Sequence, residues 1–160
     1  MRKLWIVGLI GLLLSGCGSR ETLETVDDEW ITPVMATPGQ ITVDLPEEAI
    51  APVLDTEGQQ VYLCEGYEIF LENRQSGDLQ ATIRYLTGFD KDALTVMQTS
   101  QGNCNRYEFV WTCAGENGQR LGRGVIMDDG SYHYCMTILR DEETGSDGQW
   151  QDVFASFTLV

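Results

Sequence analysis

The chain moves between two hydrophobic rhythms, and the points where the rhythm changes mark its elements. ITVDLP at 41–46 sets Ile41, Val43 and Leu45 against Thr42 and Asp44, the period of a half-buried strand, and Pro46 stops it. Residues 47–58 are acidic and irregular. QVYLC and YEIFLEN then predict two strands flanking Glu65-Gly66. In SGDLQATIRYLTGF the period lengthens. Leu79, Ile83 and Leu86 fall at i, i+4 and i+7, which predicts a helix over 79–87. Asp78 supplies an N-cap carboxylate for an orphan N–H, and Gly88 supplies the left-handed residue that ends the last turn. From Leu94 to Leu139, LTVMQT, RYEFVWTC, RLGRGVIM and YHYCMTIL are rich in β-branched and aromatic residues and predict a four-strand meander. Trp150, Phe154 and Phe157, with Val153 alongside, mark a second amphipathic helix near the end, capped by Ser146 or Asp147.

The turns set the register. ENGQ (116–119) and DDGS (128–131) place Asn117-Gly118 and Asp129-Gly130 at the centres of two-residue type I′ turns. Trp111 is then expected opposite Gly124, Phe109 opposite Ile126, Ile126 opposite His133 and Gly124 opposite Cys135. His133, the single histidine, would sit among apolar and aromatic neighbours, with Gly124 leaving room for the Trp111 ring. The other face would carry Val110, Val125 and Tyr134, with Arg123 across from Thr112 and Met136.

The amino terminus changes the picture of where the protein works. Arg2 and Lys3 precede the uncharged apolar run Leu4–Leu14, which is too short for a bilayer span of about 20 residues and suits a signal peptide. Leu14-Ser15-Gly16-Cys17 resembles the bacterial lipobox, which implies cleavage before Cys17 and lipidation of its thiol. The expected organisation is a signal peptide over 1–16, a lipidated cysteine and tether over 17–40, and one domain over 41–160. Trp30 and Ile31 are the tether residues suited to docking on the domain. The expected location is the extracytoplasmic side of the cell membrane.

Charge and cysteines narrow the partners. The chain has 10 basic and 25 acidic side chains; losing Arg2 and Lys3 leaves 8 and 25, a net charge of −17. Such a surface repels nucleic-acid phosphates, so no nucleic acid is expected. Cys64, Cys104, Cys113 and Cys135 permit two disulfides in three pairings. In the expected register Cys113 and Cys135 flank a whole strand, which disfavours a bond between them.

The opening ITVDLP, the mid-chain GDLQATIRYLTGF and the closing WQDVFASFTL resemble the PsbP-like α/β/α sandwich. YEFVWTCAGENGQRLGRGVIMDDGSYHYCMTIL is similar to a group of uncharacterised lipoproteins of Gram-positive anaerobes. The resemblance covers about residues 40–160. It implies an α+β fold, an antiparallel meander with a mid-chain and a C-terminal helix, and a non-enzymatic extracytoplasmic module.

Candidate chemistry is sparse. Trp111, Arg123 and His133 are candidates for ligand binding. Asp128, Asp129 and Glu116 are candidates for a cation, although DDGS lacks the spacing of a calcium loop. A catalytic His133/Cys135 pair needs direct contact, and residues two apart on a strand stand about 6.5–7 Å apart. No phosphate loop, dinucleotide motif, HExxH or GxSxG is present, and no cofactor is expected. The reading is a membrane-anchored binding or accessory module of the cell envelope, its partner an envelope protein, a peptide or a small ligand. A cation-binding lipoprotein is the alternative, and a thiol or hydrolytic enzyme at His133/Cys135 a more distant one.

Overall fold

The computed structural model of the chain describes residues 37–116, 118–141 and 148–160. The described residues fall within one compact unit, Met35–Val160. Cys17, the tether with Trp30 and Ile31, the caps Ser146 and Asp147, and the side chain of Trp150 lie outside them. Among the described residues no helix is long and apolar enough to cross a membrane.

In chain order the elements are β1 (Ile41–Thr42), β2 (Leu54–Thr56), β3 (Gln59–Cys64), β4 (Tyr67–Gln75), α1 (Leu79–Thr87), β5 (Val96–Gln101), β6 (Cys104–Gly115), β7 (Gly118–Asp128), β8 (Tyr132–Asp141), α2 (Gly148–Ser156) and β9 (Thr158–Leu159). A single 3-10 turn at Lys91–Ala93 precedes β5. Seven strands form an open sheet in the order β2-β3-β4-β8-β7-β6-β5, and β1 pairs separately with β9. Every pairing is antiparallel. The fold is α+β, with the meander β5 to β8 and two helices in the expected places. The expected strand at 41–46 shortens to Ile41–Thr42, and β2 forms inside the stretch expected to be irregular.

The helices take opposite faces of the sheet. α1 begins at Asp78, whose carboxylate accepts the Gln80 N–H, and ends at Gly88 with φ 79°. Its residue Ile83 is fully buried against Tyr107, Phe109, Trp111, Ile126 and Cys135. Complete burial of such a side chain contributes about 1.5–3 kcal/mol. α2 and the residue after it bring Val153, Phe154 and Phe157 onto Val125, Met127, Tyr134, Met136 and Ile138. Residues 41–49 share that second face, where Ile41, Val43 and Leu45 pack on the same core. The Gly39 N–H donates to the Tyr134 hydroxyl at 2.8 Å, which in turn donates to Asp129 at 2.8 Å. This pins the segment that enters the domain.

Both meander turns correct the expected register by two residues. The first hairpin closes at the Gly115–Gly118 pair, so Trp111 lies opposite Gly122 and Phe109 opposite Gly124. In the second, the last pair is Asp128–His133; Ile126 faces Cys135, and Gly124 faces Thr137. The physical reason for the second is the Asp129 side chain. Its Oδ1 accepts the N–H groups of both Ser131 and Tyr132 at 2.7 Å, which holds a wider loop than a two-residue turn. A shift of two preserves the alternation of faces, so each residue keeps its face and changes its neighbours. The space above a glycine is used as expected, but by different partners. The Trp111 ring lies over Gly122 and the Phe109 ring over Gly124. Arg123 faces Val110 and Ile138, in place of Thr112 and Met136.

The cysteines are a further correction. Cys64, Cys104, Cys113 and Cys135 are all free. They sit on β3, β6 and β8 at distant register positions, with Cys113 opposite Arg120 and Cys135 opposite Ile126.

Candidate functional site

His133 sits on the α1 face at 1% exposure, between Asp128 on β7 and Arg74 on β4. The expectation that it avoids carboxylates is therefore corrected: the two-residue shift exchanges Ile126 for Asp128. Its Nδ1 is 2.8 Å from the Thr82 hydroxyl of α1, and its Nε2 is 3.4 Å from the Ser76 hydroxyl. Asp128 Oδ2 lies 3.8 Å from the same Nε2. Burial holds the imidazole pKa below its ordinary value; Asp128 pulls the other way, and Arg74 adds to the lowering. The result is a neutral histidine that fastens the second turn of the β7–β8 region to α1.

Cys135, on the same face, is fully buried, and burial and then Glu72 push its thiol well up. A reactive thiol needs the opposite shift and an approach path. His133 has its ring nitrogens on Thr82 and Ser76 rather than on this sulfur.

The cation candidates do not converge. Asp128 Oδ1 accepts the Gly130 N–H at 2.8 Å and the Ser76 hydroxyl at 3.3 Å. Burial opposes ionisation of Asp129, but the Tyr132 and Ser131 N–H groups and the Tyr134 hydroxyl outweigh it and hold its carboxyl below the usual range. Both aspartates serve the turn. Glu116 is exposed at the far end of β7, past the Gly115–Gly118 pair. Ten residues of strand span about 33 Å. Among the described residues no group of three or more His, Cys, Asp or Glu side chains is placed to hold a metal ion.

The three ligand candidates are also divided. Trp111 is 6% exposed in the α1-face core, and His133 shares that face. Arg123 is on the other face, where its guanidinium lies 4.3 Å from the centre of the Phe154 ring.

Arg123 leads to a concavity the sequence did not reveal. α2 covers only part of its face. Beyond it, a groove of about 490 Å³ runs over β5 to β8. Met97, Val110, Leu121, Ile138 and Phe154 supply its apolar lining, with Met97 56% and Val110 54% exposed. Glu108, Arg123 and Arg140 supply its charge. Glu108 is held from both sides: Arg106 Nε donates to Oε1 at 2.9 Å and Arg123 Nη2 to Oε2 at 3.1 Å. Burial opposes ionisation of Glu108, but the two guanidinium groups prevail and lower its pKa. Arg106, 7% exposed, also donates to the carbonyls of Phe157 at 2.9 Å and Phe154 at 2.6 Å, capping the end of α2. A cavity of this volume with a few fixed polar groups has the build of a small-molecule site. Glu108, Arg106 and Arg140 escaped the sequence reading. The available signal was alternation, which places Arg106, Glu108 and Val110 on one face of β6.

No protein-family model matches the chain, and comparison with curated proteins gives no match. Among solved structures, a crystal structure of a protein from Bacteroides thetaiotaomicron is similar, with a TM-score of 0.52 and 10% sequence identity. The likeness covers 75% of this chain and 45% of that one, so the chain spans less than half the length of its structural neighbour. At this identity the likeness concerns the fold alone.

Proposed function

We propose that the protein is a lipid-anchored extracytoplasmic lipoprotein whose domain is a non-enzymatic binding or accessory module, with the groove on the α2 face as its binding surface. The observation that carries the binding reading is that groove: about 490 Å³, largely apolar, with Met97 and Val110 half exposed beside the Glu108–Arg123 ion pair. Burial of such side chains by a ligand contributes about 25 cal/mol per Å² of apolar surface. The anchoring reading rests on the basic start, the Leu4–Leu14 run and the Leu14-Ser15-Gly16-Cys17 motif. The PsbP-like assignment belongs to the same proposal and is supported by a sheet with one helix on each face.

Two experiments test the two halves. Cys17→Ala is expected to move the protein from the membrane to the soluble fraction and to stop incorporation of labelled acyl chains; continued labelling refutes the anchor. Nile red, a neutral apolar dye, is expected to gain fluorescence on the domain and lose it in Val110→Asp. An unchanged signal in that variant removes the groove as the binding surface.

A further inference from the structure

The two edges of the seven-stranded sheet are finished differently. One edge is β2, three residues long, with Asp55 at its centre and Glu57 directly after it. Shortness and charge are devices that keep an edge from pairing with another chain. The other edge is β5, six residues long, with the sequence VMQTSQ. It pairs with β6 on its inner side and, among the described residues, with no strand on its outer side. Its register runs one-to-one from Val96–Phe109 to Gln101–Cys104, so no bulge twists the edge away. It contains no proline and no charge, and every residue from Met97 to Gln101 is exposed. The uncharged stretch spans Leu94 to Asn105, in a chain of which 22% is charged.

An open row of N–H and carbonyl groups is complementary to an extended strand. The strand these observations favour is β5 of another molecule. A half-turn about an axis normal to the sheet lays one β5 antiparallel to the next, so that the free N–H groups of each edge meet carbonyls of the other. Two chains of net charge −15 would then touch along a line where neither carries a charge. The half-turn also keeps faces together. Gln98 and Ser100, opposite Tyr107 and Asn105, lie on the α1 face of both copies, and Met97 and Thr99, opposite Glu108 and Arg106, on the α2 face. Met97 is 56% exposed in the single chain and gains cover at such a seam. Once β5 is paired, each copy is left with the blunted β2 edge, so association closes at two.

We propose that β5 pairs with β5 of a second copy about a two-fold axis, giving a homodimer with one continuous sheet. The seam draws on neither the groove nor the anchor. It is tested by analytical ultracentrifugation of the full chain in dodecyl maltoside micelles. Reductant is present so that the free cysteines form no bond between molecules. A strand of six residues is about 20 Å long, a seam at the small end of interface sizes, so the chain is taken to about 0.5 mM. A monomer–dimer equilibrium is expected, with no larger species. Gln98→Lys with Ser100→Lys puts like charges along the seam at two exposed positions, and is expected to weaken association roughly tenfold or more, with the urea midpoint unchanged. Thr56→Lys, on the β2 edge, is expected to leave the dimer intact. Both variants make the chain less negative, so a loss confined to the β5 variant cannot come from general repulsion. A chain that stays monomeric at the highest concentration overturns the proposal and leaves the edge to an extended segment of a different protein. A dimer that survives the β5 lysines, or that Thr56→Lys breaks as readily, has its seam elsewhere and overturns it as well.

Discussion

The two faces of the sheet are built to opposite ends. On the α1 face, aromatic rings lie flat over glycines and a helix seals them: Trp111 over Gly122, Phe109 over Gly124, Ile83 above. The histidine and a thiol are shut inside. On the α2 face the core spans β4, β8 and the Val125–Met127 part of β7 but stops short, and β5 and β6 are left with half-exposed Met97 and Val110. The residue types that most suggest chemistry are on the sealed face. The open concavity is lined by residues that look like ordinary strand. Residue type and accessibility part company here, and the proposed binding function follows accessibility.

The largest effect expected from breaking this contrast is on the sealed face. A Cβ on Gly122 would enter the space of the Trp111 ring, and one on Gly124 would lie 2.6 Å from Phe109 Cε2. Both rings are buried in the α1-face core. Gly122→Val is expected to cost about 3 kcal/mol or more, the upper range for overpacking, measured by urea unfolding. A cost below about 1 kcal/mol would mean that the face is looser than its geometry.

Next comes Arg106, the hinge between core and groove. Arg106→Met keeps the volume but leaves the Phe154 and Phe157 carbonyls without their donor. The expected loss is about 2 kcal/mol, typical of bonds made by a charged group. Loss of α2 protection in hydrogen exchange, with the β6–β8 ladder unchanged, would place the effect at the cap.

These elements also show what the sequence makes legible. α1 was readable to its last residue, because Asp78, the Leu79–Ile83–Leu86 stripe and Gly88 act locally. The faces of the meander were readable because alternation survives a shift of two. The partners across strands were not. Asp129 bonds to Ser131 and Tyr132 and widens a turn that the dipeptide alone makes tight. That shift is why Asp128, rather than Ile126, meets His133. The groove was illegible for another reason. Among the described residues, it exists because α2 stops short of Met97 on β5 and Val110 on β6, a matter of where a distant helix docks.

A smaller effect separates the faces by pH. His133 has an ordinary value of 6.5 in the unfolded chain and a lower one in the fold, because burial disfavours its cation. Below pH 6.5 the unfolded chain binds a proton that the folded chain resists, so stability falls as pH drops from 6.5 toward the folded value. The slope is at most about 1.4 kcal/mol per pH unit for one group. Asp129 and Glu108, with lowered values, lose their contributions only below the ordinary carboxylate range. Glu72, with a raised value, acts in the opposite direction, stability being gained as pH falls through that value. Comparison with His133→Gln cancels that background. The variant is expected to flatten the profile below pH 6.5, and an unchanged slope there would place the proton elsewhere.

The smallest stability effect belongs to the groove, and its smallness is the point. Val110 is 54% exposed, so Val110→Ala removes little that folding has buried. A change within about 0.5 kcal/mol is expected, as for surface positions without special contacts. The same substitution strips apolar surface from the floor of the groove and should weaken Nile red binding. A residue whose truncation costs the fold almost nothing and the ligand measurably more is one that folding leaves free to meet a ligand. If Val110→Ala instead destabilises as strongly as a core truncation, about 2 kcal/mol or more, the groove is part of the core and the two faces are alike.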